Sequence, residues 1–315
     1  MINFPCFGIG GSSSETLFLN LEKSQYYNGE KVKGYLTITS NKDTISRAYR
    51  FLAEGKEETK ITVSEPYSGS SSSSSSSSYS NEYRNVTYTS SNVFFSQDLL
   101  EFLKDNSLID LENARNGKDV VIRKGRTEVP FEFTIPYNIL SSYHGKNARI
   151  VFSVKATIDK KMRMDVNSSI NFDVISQSNN SNFNGPVSVS TYKVNGLELK
   201  LDLYKSVYNV GDTIRGKINI SKSNPDIDIR AIEIILIATE KATASNRIVA
   251  TSMYENKYKI TDWKEKQDCP FEINIPEDVV KSYRGKYSEI IWEIKAKIDL
   301  PLSQDLNAEA MIEVI

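Results

Sequence analysis

A segment from the N-terminal half of the chain recurs in the C-terminal half. Pro130–Pro136 reads Pro-Phe-Glu-Phe-Thr-Ile-Pro, and Pro270–Pro276 reads Pro-Phe-Glu-Ile-Asn-Ile-Pro. Each copy is followed by Ser-Tyr-x-Gly-Lys and then by an alternating aliphatic strand. Upstream, Leu17–Ile38 matches Leu199–Ile220, including a Gly-acid-x-aliphatic-basic-Gly motif. The repeat is too long for a solenoid unit, so the sequence predicts two related domains, each with its own core.

The two copies share both ends but differ in length. The upstream offset exceeds the downstream one by about forty residues, so the first domain must carry an insertion of that size. A polar, breaker-rich stretch at Ser176–Pro186 separates the copies. We therefore predict one domain over residues 1–178 and a second over residues 187–315.

Period-2 alternation dominates both copies and indicates β-strands. Leu17–Glu22 and the segment around Val32 to Ile38 predict two strands joined at the Asn28-Gly29 turn. The motif's second glycine, Gly34 or Gly216, lies inside a strand, which indicates a bulge or a close crossing of backbones. A further strand, Arg47–Ala53, is aligned with Ile232–Ala238, whose two apolar faces predict burial from both sides.

The insertion contains two recognisable segments. A serine-rich stretch at about 66–82 cannot bury enough apolar surface to offset its chain entropy, which predicts a disordered loop. A short helix is predicted at about 97–105, with Ser96 as the N-cap and Leu99, Phe102 and Leu103 on one apolar stripe. The second domain has no counterpart of this helix.

Composition limits the classes of function. The formal net charge is −1, so no bulk field favours nucleic acid. No apolar run is long enough to cross a bilayer. Cys6 and Cys269 are the only cysteines and form no disulfide framework. These features predict a cytoplasmic protein without a transmembrane segment, a nucleic-acid partner or a cofactor.

The usual chemical motifs of enzymes are missing from the sequence. The single histidine, His144, aligns with Arg284, so the position favours a polar turn residue over a base or metal ligand. The two cysteines lack the spacing of a zinc site. Glu57-Glu58 is interpreted as ordinary solvated surface. We therefore predict no catalytic site and no metal site; a carbohydrate- or metal-binding sandwich enzyme is the alternative from another class.

The doubled motifs resemble those of the arrestin superfamily. The resemblance rests on Gly-acid-x-aliphatic-basic-Gly early in each copy and on Pro-Phe-x-aliphatic-x-Ile-Pro with Ser-Tyr-x-Gly later, although Phe133 replaces the aliphatic residue in the first. It implies an all-β fold of two tandem arrestin-like (immunoglobulin-like) β-sandwich domains with one short helix in the first. The motif spacing is closer to arrestin-domain-containing (α-arrestin) proteins, and the length also suits the arrestin-like subunit of retromer. Pro-Pro-x-Tyr motifs, which many α-arrestins use to recruit ubiquitin ligases, are absent.

By this resemblance the protein is expected to be an intracellular scaffold or adaptor. It would bind cytoplasmic parts of membrane cargo or receptors and link them to trafficking or signalling machinery, with recruitment to endosomes or the plasma membrane as a peripheral protein. The alternative within the superfamily is a retromer arrestin-like subunit that acts in endosomal sorting.

Two candidate partner-binding sets follow. The first is a basic face for acidic or phosphorylated peptides, comprising Lys23, Lys31, Lys33, Arg47 and Arg50. The alternative for this set is scattered charges that only serve solubility, because the acids Glu22 and Glu30 lie beside them. The second matches the clathrin-box pattern of Leu-aliphatic-x-aliphatic-acid and comprises Leu108, Ile109, Asp110, Leu111 and Glu112. Helical spacing of Leu108 and Leu111 is also compatible with a role in the core.

The tyrosines of the repeated Ser-Tyr-x-Gly motif are predicted to be structural. Tyr143 and Tyr283 precede the long alternating strands, and we expect both rings to be buried with their hydroxyls bonded to backbone.

Overall fold

The computed structural model describes residues 15–66, 83–105, 120–160, 163–175, 184–191, 196–301 and 303–315. Within these ranges the regular structure is β-strand except for one helix, α1 (Glu101–Asp105). The first repeat forms eleven strands: β1 (Glu15–Leu21), β2 (Gln25–Tyr27), β3 (Lys31–Ser40), β4 (Thr44–Ser46), β5 (Ala48–Pro66), β6 (Tyr83–Asp98), β7 (Val120–Ile122), β8 (Gly125–Thr134), β9 (Tyr143–His144), β10 (Ala148–Asp159) and β11 (Val166–Ile175).

These strands form the two layers of a sandwich. One sheet has the order β1-β3-β8, and the other has the order β2-β11-β10-β5-β6 with β9 paired to β10. A small ribbon pairs β4 with β7. Alternate residues of β3 are buried, including Val32, Leu36 and Ile38, because successive side chains of a strand point to opposite faces.

The second repeat follows the same plan. Its strands are β12 (Val187–Ser190), β13 (Leu197–Leu203), β14 (Val207–Tyr208), β15 (Thr213–Lys222), β16 (Ala231–Ala244), β17 (Arg247–Lys259), β18 (Cys269–Asn274), β19 (Tyr283–Arg284), β20 (Ser288–Asp299) and β21 (Leu306–Val314). The sheet orders are β12-β13-β15-β18 and β14-β21-β20-β16-β17, with β19 on β20. Apart from β12, each position has its equivalent in the first repeat, so the predicted all-β fold of two tandem sandwiches is confirmed.

Aromatic side chains fill both cores. In the first repeat Phe51 meets Phe131 edge to face with ring centroids 5.1 Å apart, and Tyr26 meets Phe172 in the same way at 5.6 Å. In the second repeat Trp292 is fully buried, and its indole N–H donates to the carbonyl of Val280 at 2.9 Å. Such rings supply large buried areas, and the indole remains satisfied because it has a backbone acceptor.

By compactness the chain divides into two units. The first comprises residues 1–56, 93–142 and 150–176, and the second comprises residues 57–92, 143–149 and 177–315. The second unit therefore includes two segments from the N-terminal half of the chain. The predicted boundary between residues 178 and 187 stays a prediction, since 176–183 lie outside the described ranges.

The helix is shorter than predicted and begins differently. Ser96 lies in β6, and the residue that caps the turn is Asp98, whose Oδ1 accepts the backbone N–H of Leu100 at 2.8 Å. Leu99 and Leu103 are buried as expected, whereas Phe102 is half-buried. The β-branched and aromatic residues before Ser96 favour continuation of the strand over an earlier helix start.

The predicted alignment of the long central strands is wrong by two residues. The backbone N–H of Arg47 donates to the carbonyl of Asp159, and that of Arg230 donates to the carbonyl of Asp299. Arg47 is thus equivalent to Arg230, and the counterpart of Arg47–Ala53 begins at residue 230 instead of 232. The expected burial on both faces holds at Ile234 and Ile235, which are both buried.

Three predicted features lie outside the described residues: most of the serine-rich stretch, the Leu108–Glu112 motif and Cys6. Within the described part of the chain, no helix is long and apolar enough to cross a membrane.

Candidate functional site

A groove of about 350 Å³ lies on the first sandwich next to helix α1. Its lining residues are Glu22, Lys33, Gly34, Tyr35, Phe102, Pro130, Phe131 and Glu132. Strands β1, β3 and β8 place these residues side by side, since Gly34 is opposite both Leu21 and Phe131 in the sheet. The groove combines aromatic surface with one cation and two carboxylates, a composition that suits an extended peptide.

Gly34 makes the close packing beneath the groove possible. A Cβ at this position would lie 2.3 Å from the backbone oxygen of Asn20 and 2.7 Å from Cζ of Phe131. Its repeat counterpart, Gly216, meets equivalent atoms of Asp202 and Phe271 at 2.6 and 2.7 Å. The register is continuous at both glycines, so the predicted choice between a bulge and a close crossing resolves to a close crossing.

Lys33 is the cation of the groove that has no ion-pair partner among the described residues. The neighbouring Lys31 pairs with Glu132 at 2.8 Å, and this hydrogen bond and charge lower the pKa of the Glu132 carboxyl. In the second repeat Thr213 replaces Lys31, and Glu272 pairs instead with Arg215, the counterpart of Lys33, at 2.8 Å. Among the described residues, Lys33 thus has no ion-pair partner, whereas its counterpart Arg215 has one.

The other predicted basic residues are spread over different parts of the structure. Lys23 pairs with Glu30, which raises the pKa of Lys23. Arg47 lies 4.0 Å from Asp159, just before β5. Arg50 is exposed on β5, in the sheet opposite to the one that contains β3. The structure therefore brings Lys31 and Lys33 together on one face of β3 and separates Arg50 from them.

The most densely hydrogen-bonded site of the second unit is built on Glu57. This residue is fully buried, which contradicts its interpretation as solvated surface. Its Oε1 accepts the backbone N–H groups of Tyr287 and Ser288 at 3.0 and 2.7 Å and the Ser288 hydroxyl at 2.7 Å. Its Oε2 accepts the N–H of Lys286 at 3.0 Å. Four donors compensate the carboxylate for its loss of water.

Glu240, the repeat counterpart of Glu57, makes the reciprocal arrangement. It is also fully buried, and its Oε1 accepts the backbone and side-chain N–H groups of Asn147 at 2.8 and 3.0 Å. Its Oε2 accepts the hydroxyl of Tyr143 at 2.6 Å. We call the two glutamates and the loops they hold, 143–148 and 283–288, the carboxylate clasps.

Aromatic rings and glycines complete the clasps. The rings of Tyr143 and Tyr283 lie 5.1 Å apart, and burial raises the pKa of both hydroxyls. An added Cβ at Gly145 would lie 1.8 Å from Oε2 of Glu240, and one at Gly285 would lie 2.3 Å from Oε1 of Glu57. Only glycine therefore allows each loop to approach its carboxylate.

The predicted burial is confirmed for Tyr143, whereas Tyr283 is half-buried, and the predicted backbone partner of the hydroxyl is wrong for both. The partner is a carboxylate for Tyr143 and the Ser288 hydroxyl, at 3.0 Å, for Tyr283. Sequence reasoning missed both glutamates. The available signal was strand alternation. It places Glu57 on the same face of β5 as Phe51 and Ala53. It likewise places Glu240 on the same face of β16 as Ile234 and Ala238.

Two further chemically reactive residues of the described ranges are His144 and Cys269. No group of three or more His, Cys, Asp or Glu side chains there could hold a metal ion. His144 is exposed on β9. Burial raises the pKa of the Cys269 thiol, which disfavours the nucleophilic thiolate.

Two known protein families match the chain, and together the matches include parts of both repeats. The family "Arrestin (or S-antigen), N-terminal domain" matches residues 16–181, and the family "Vacuolar protein sorting-associated protein 26" matches residues 112–275. Each match covers more than half of the chain. The chain belongs to the arrestin superfamily. A comparison with curated proteins gives no match. The superfamily assignment explains the duplicated sandwich, the single helix in the first copy and the shared motifs of both copies.

Proposed function

We propose that this arrestin-superfamily protein is a non-enzymatic cytoplasmic adaptor that binds cytoplasmic segments of membrane cargo or receptors and links them to trafficking or signalling machinery. The observation that carries the proposal is the pair of family matches, which together extend from residue 16 to residue 275. Both families consist of scaffolds and adaptors. Recruitment to endosomes or the plasma membrane would follow from the location of the cargo.

The groove next to α1 is the proposed cargo-binding surface. Tyr35 and Phe102 offer apolar contact to a peptide, and Lys33 offers a positive charge that forms no ion pair within the described part of the chain. A peptide with an acidic or phosphorylated residue beside an apolar one would match both features. A cavity of about 510 Å³ in the second repeat shares with the groove only the equivalent positions Tyr204 and Arg215. Its cations Lys205 and Arg215 are paired with acids, so it offers less to an anionic peptide.

Binding of labelled peptides tests this assignment. A panel of acidic, phosphorylated and neutral cytoplasmic-tail peptides is titrated against the purified protein by fluorescence anisotropy at 50 and 300 mM salt. We expect acidic and phosphorylated peptides to bind more tightly than neutral ones, and binding to weaken at high salt because exposed charges are screened.

The duplication supplies a matched control. Lys33→Ser should weaken acidic-peptide binding by about tenfold, the loss expected for a charge-assisted hydrogen bond of roughly 1.5 kcal/mol. Arg215→Ser removes the equivalent cation in the second repeat and should leave binding unchanged. Equal effects of the two substitutions, or binding that is insensitive to salt, would contradict the groove as the cargo site.

A retromer-type role is the second candidate function. The observation in its favour is the match to vacuolar protein sorting-associated protein 26 over residues 112–275, a region that includes parts of both repeats. Co-purification with the retromer from the native cell tests it. Recovery of retromer subunits in stoichiometric amounts would favour this role, whereas their absence beside abundant cargo would favour the α-arrestin type.

A further inference from the structure

Three loops of the first unit meet at one end of its sandwich. The β4–β7 ribbon pairs Ile45 with Val121, and the backbone N–H of Lys124 donates to Oδ1 of Asp43 at 2.7 Å. The loop after β10 is attached to the same end because Arg47 donates its backbone N–H to Asp159 at 2.8 Å. We call the residues 42–47, 121–124, 160 and 163–165 the basic tip.

The basic tip carries unpaired positive charge. Lys42, Arg123, Lys124 and Arg163 are exposed, and none of them makes an ion pair with another described residue. The nearby carboxylates offset only part of this positive charge, and none of them forms an ion pair with these four cations. Asp43 and Asp165 accept the backbone N–H groups of Lys124 and Lys160, and Asp159 faces Arg47. Glu15 forms a buried pair with Lys160, and Glu128 pairs with Arg126.

Apolar side chains project from the same loops. Ile45 is 63% exposed, Val121 is 52% exposed and Met164 is 84% exposed. Ile45 and Val121 are directly opposite each other in the ribbon, so they form one continuous aliphatic surface. Solvation of three large apolar side chains from converging loops is unfavourable, and an interaction that covers them would be favoured.

The second repeat contains the same loop with different chemistry. Leu300 donates its backbone N–H to Oδ1 of Asp305 at 3.3 Å, as Lys160 does to Asp165 at 3.1 Å. The two loops are therefore equivalent in length and closure. Ser303 replaces Arg163, and Gln304 replaces Met164. The cation and the exposed methionine are thus not requirements of the loop's fold.

We propose that the basic tip docks on an anionic lipid bilayer. Its cations would lie against the lipid headgroups, each contributing about fivefold to partitioning, while Ile45, Val121 and Met164 enter the headgroup boundary. Charge complementarity identifies the occupant, because a neutral apolar protein surface would leave the four cations unmatched. The inference does not depend on cargo binding, since the lipid surface alone would be the ligand.

Vesicle co-sedimentation with the full chain tests the proposal. The protein is mixed with vesicles of phosphatidylcholine alone or with 30% phosphatidylserine added, at 100 and 500 mM salt. We expect binding to the anionic vesicles at 100 mM salt, and a large loss at 500 mM salt or on neutral vesicles. Equal recovery on neutral and anionic vesicles would overturn the proposal.

Two variants assign the binding to the tip. Arg163→Ser with Met164→Gln transplants the second repeat's residues and should reduce partitioning by about tenfold, which combines one lost cation with one lost apolar contact. Lys42→Glu with Lys124→Glu should reduce binding to the level seen on neutral vesicles.

The matched control removes a cation and a methionine elsewhere, from β17. Lys257→Ser with Met253→Gln should bind like the unaltered protein. Thermal unfolding establishes that each variant is folded. Unchanged partitioning of the folded tip variants, or an equal loss in the control, would overturn the assignment.

Discussion

Replacement of each clasp glutamate by glutamine should affect stability unequally. At Glu57, three of the four donors are backbone N–H groups, which cannot become acceptors. Glutamine can retain the three hydrogen bonds at Oε1. Its amide N–H₂ then takes the place of Oε2 and faces the backbone N–H of Lys286, and because both groups are donors they cannot form a hydrogen bond. At Glu240, Oε2 accepts a tyrosine hydroxyl, and a hydroxyl can either donate or accept. The amide of glutamine could therefore donate to Tyr143.

The expected costs follow from these contacts. Glu57→Gln leaves one buried N–H of Lys286 unsatisfied and should destabilise the protein by about 2 kcal/mol. Glu240→Gln keeps both Asn147 bonds and reverses the third, so its cost should stay below about 1 kcal/mol. Glu58→Gln is the adjacent control. It removes the charge that pairs with the mostly exposed guanidinium of Arg149 and should cost less than about 1 kcal/mol.

Urea unfolding followed by tryptophan fluorescence measures these differences. Both tryptophans, Trp263 and Trp292, belong to the second unit, which contains the clasps. Hydrogen exchange adds a local measurement, because the Lys286 amide should exchange faster in Glu57→Gln while the Asn147 amide does not. Equal destabilisation by Glu57→Gln and Glu240→Gln, or no change in Lys286 exchange, would refute this account of the clasps.

Three further predictions concern single interactions. The buried ion pair Glu15–Lys160 corresponds to Leu197 and Leu300 of the second repeat. In urea unfolding, Glu15→Leu alone should destabilise the protein by about 3 kcal/mol, whereas Glu15→Leu with Lys160→Leu should change its stability by less than about 1 kcal/mol. A double variant no more stable than the single one would contradict this. Burial and the hydrogen bond to Glu240 raise the pKa of Tyr143 above its usual 10.0. The contribution of this hydroxyl to the free energy of unfolding is therefore complete below pH 10 and is lost as the pH rises further. Tyr143→Phe should accordingly reduce the loss of stability that the protein shows at alkaline pH. An unaltered decline would show that Tyr143 does not cause it. If Leu108–Glu112 is a clathrin box, Leu108→Ala with Leu111→Ala should abolish binding to the clathrin terminal domain while the protein stays folded; unchanged binding, or unfolding of the variant, would contradict it.

Sequence patterns were sufficient for the fold because its determinants are local. Alternation at Val32, Leu36 and Ile38 follows from the two faces of one strand, and the repeated motifs identify two copies without any knowledge of packing. The close crossing at Gly34 could also be predicted from the sequence, since a glycine inside a strand often marks a place where a second backbone approaches closely.

The clasps could not be predicted in the same way. Alternation along β5 places Glu57 on the buried face and Glu58, which is half-buried, on the other. The donors that satisfy the Glu57 carboxylate come from loop 285–288, which is distant in the sequence and shows no pattern that pairs it with Glu57. The alignment that would pair Glu57 with Glu240 depends on Arg47 matching Arg230, a register given by backbone hydrogen bonds. Sequence also cannot show that Glu132 forms its ion pair with Lys31 and not with Lys33, because the side-chain geometry decides which lysine is within reach.

We propose that the groove next to α1 receives cytoplasmic segments of membrane cargo. Its most direct test replaces the groove residue Tyr35 with a photo-crosslinking amino acid in the native cell and identifies the crosslinked peptides by mass spectrometry. A crosslinker at the similarly exposed Tyr258 of β17 is the control. The account predicts acidic cytoplasmic segments of membrane proteins attached at position 35, lost on Lys33→Glu and absent from position 258. The same peptides at both positions, or no membrane-protein segments at position 35, would contradict it.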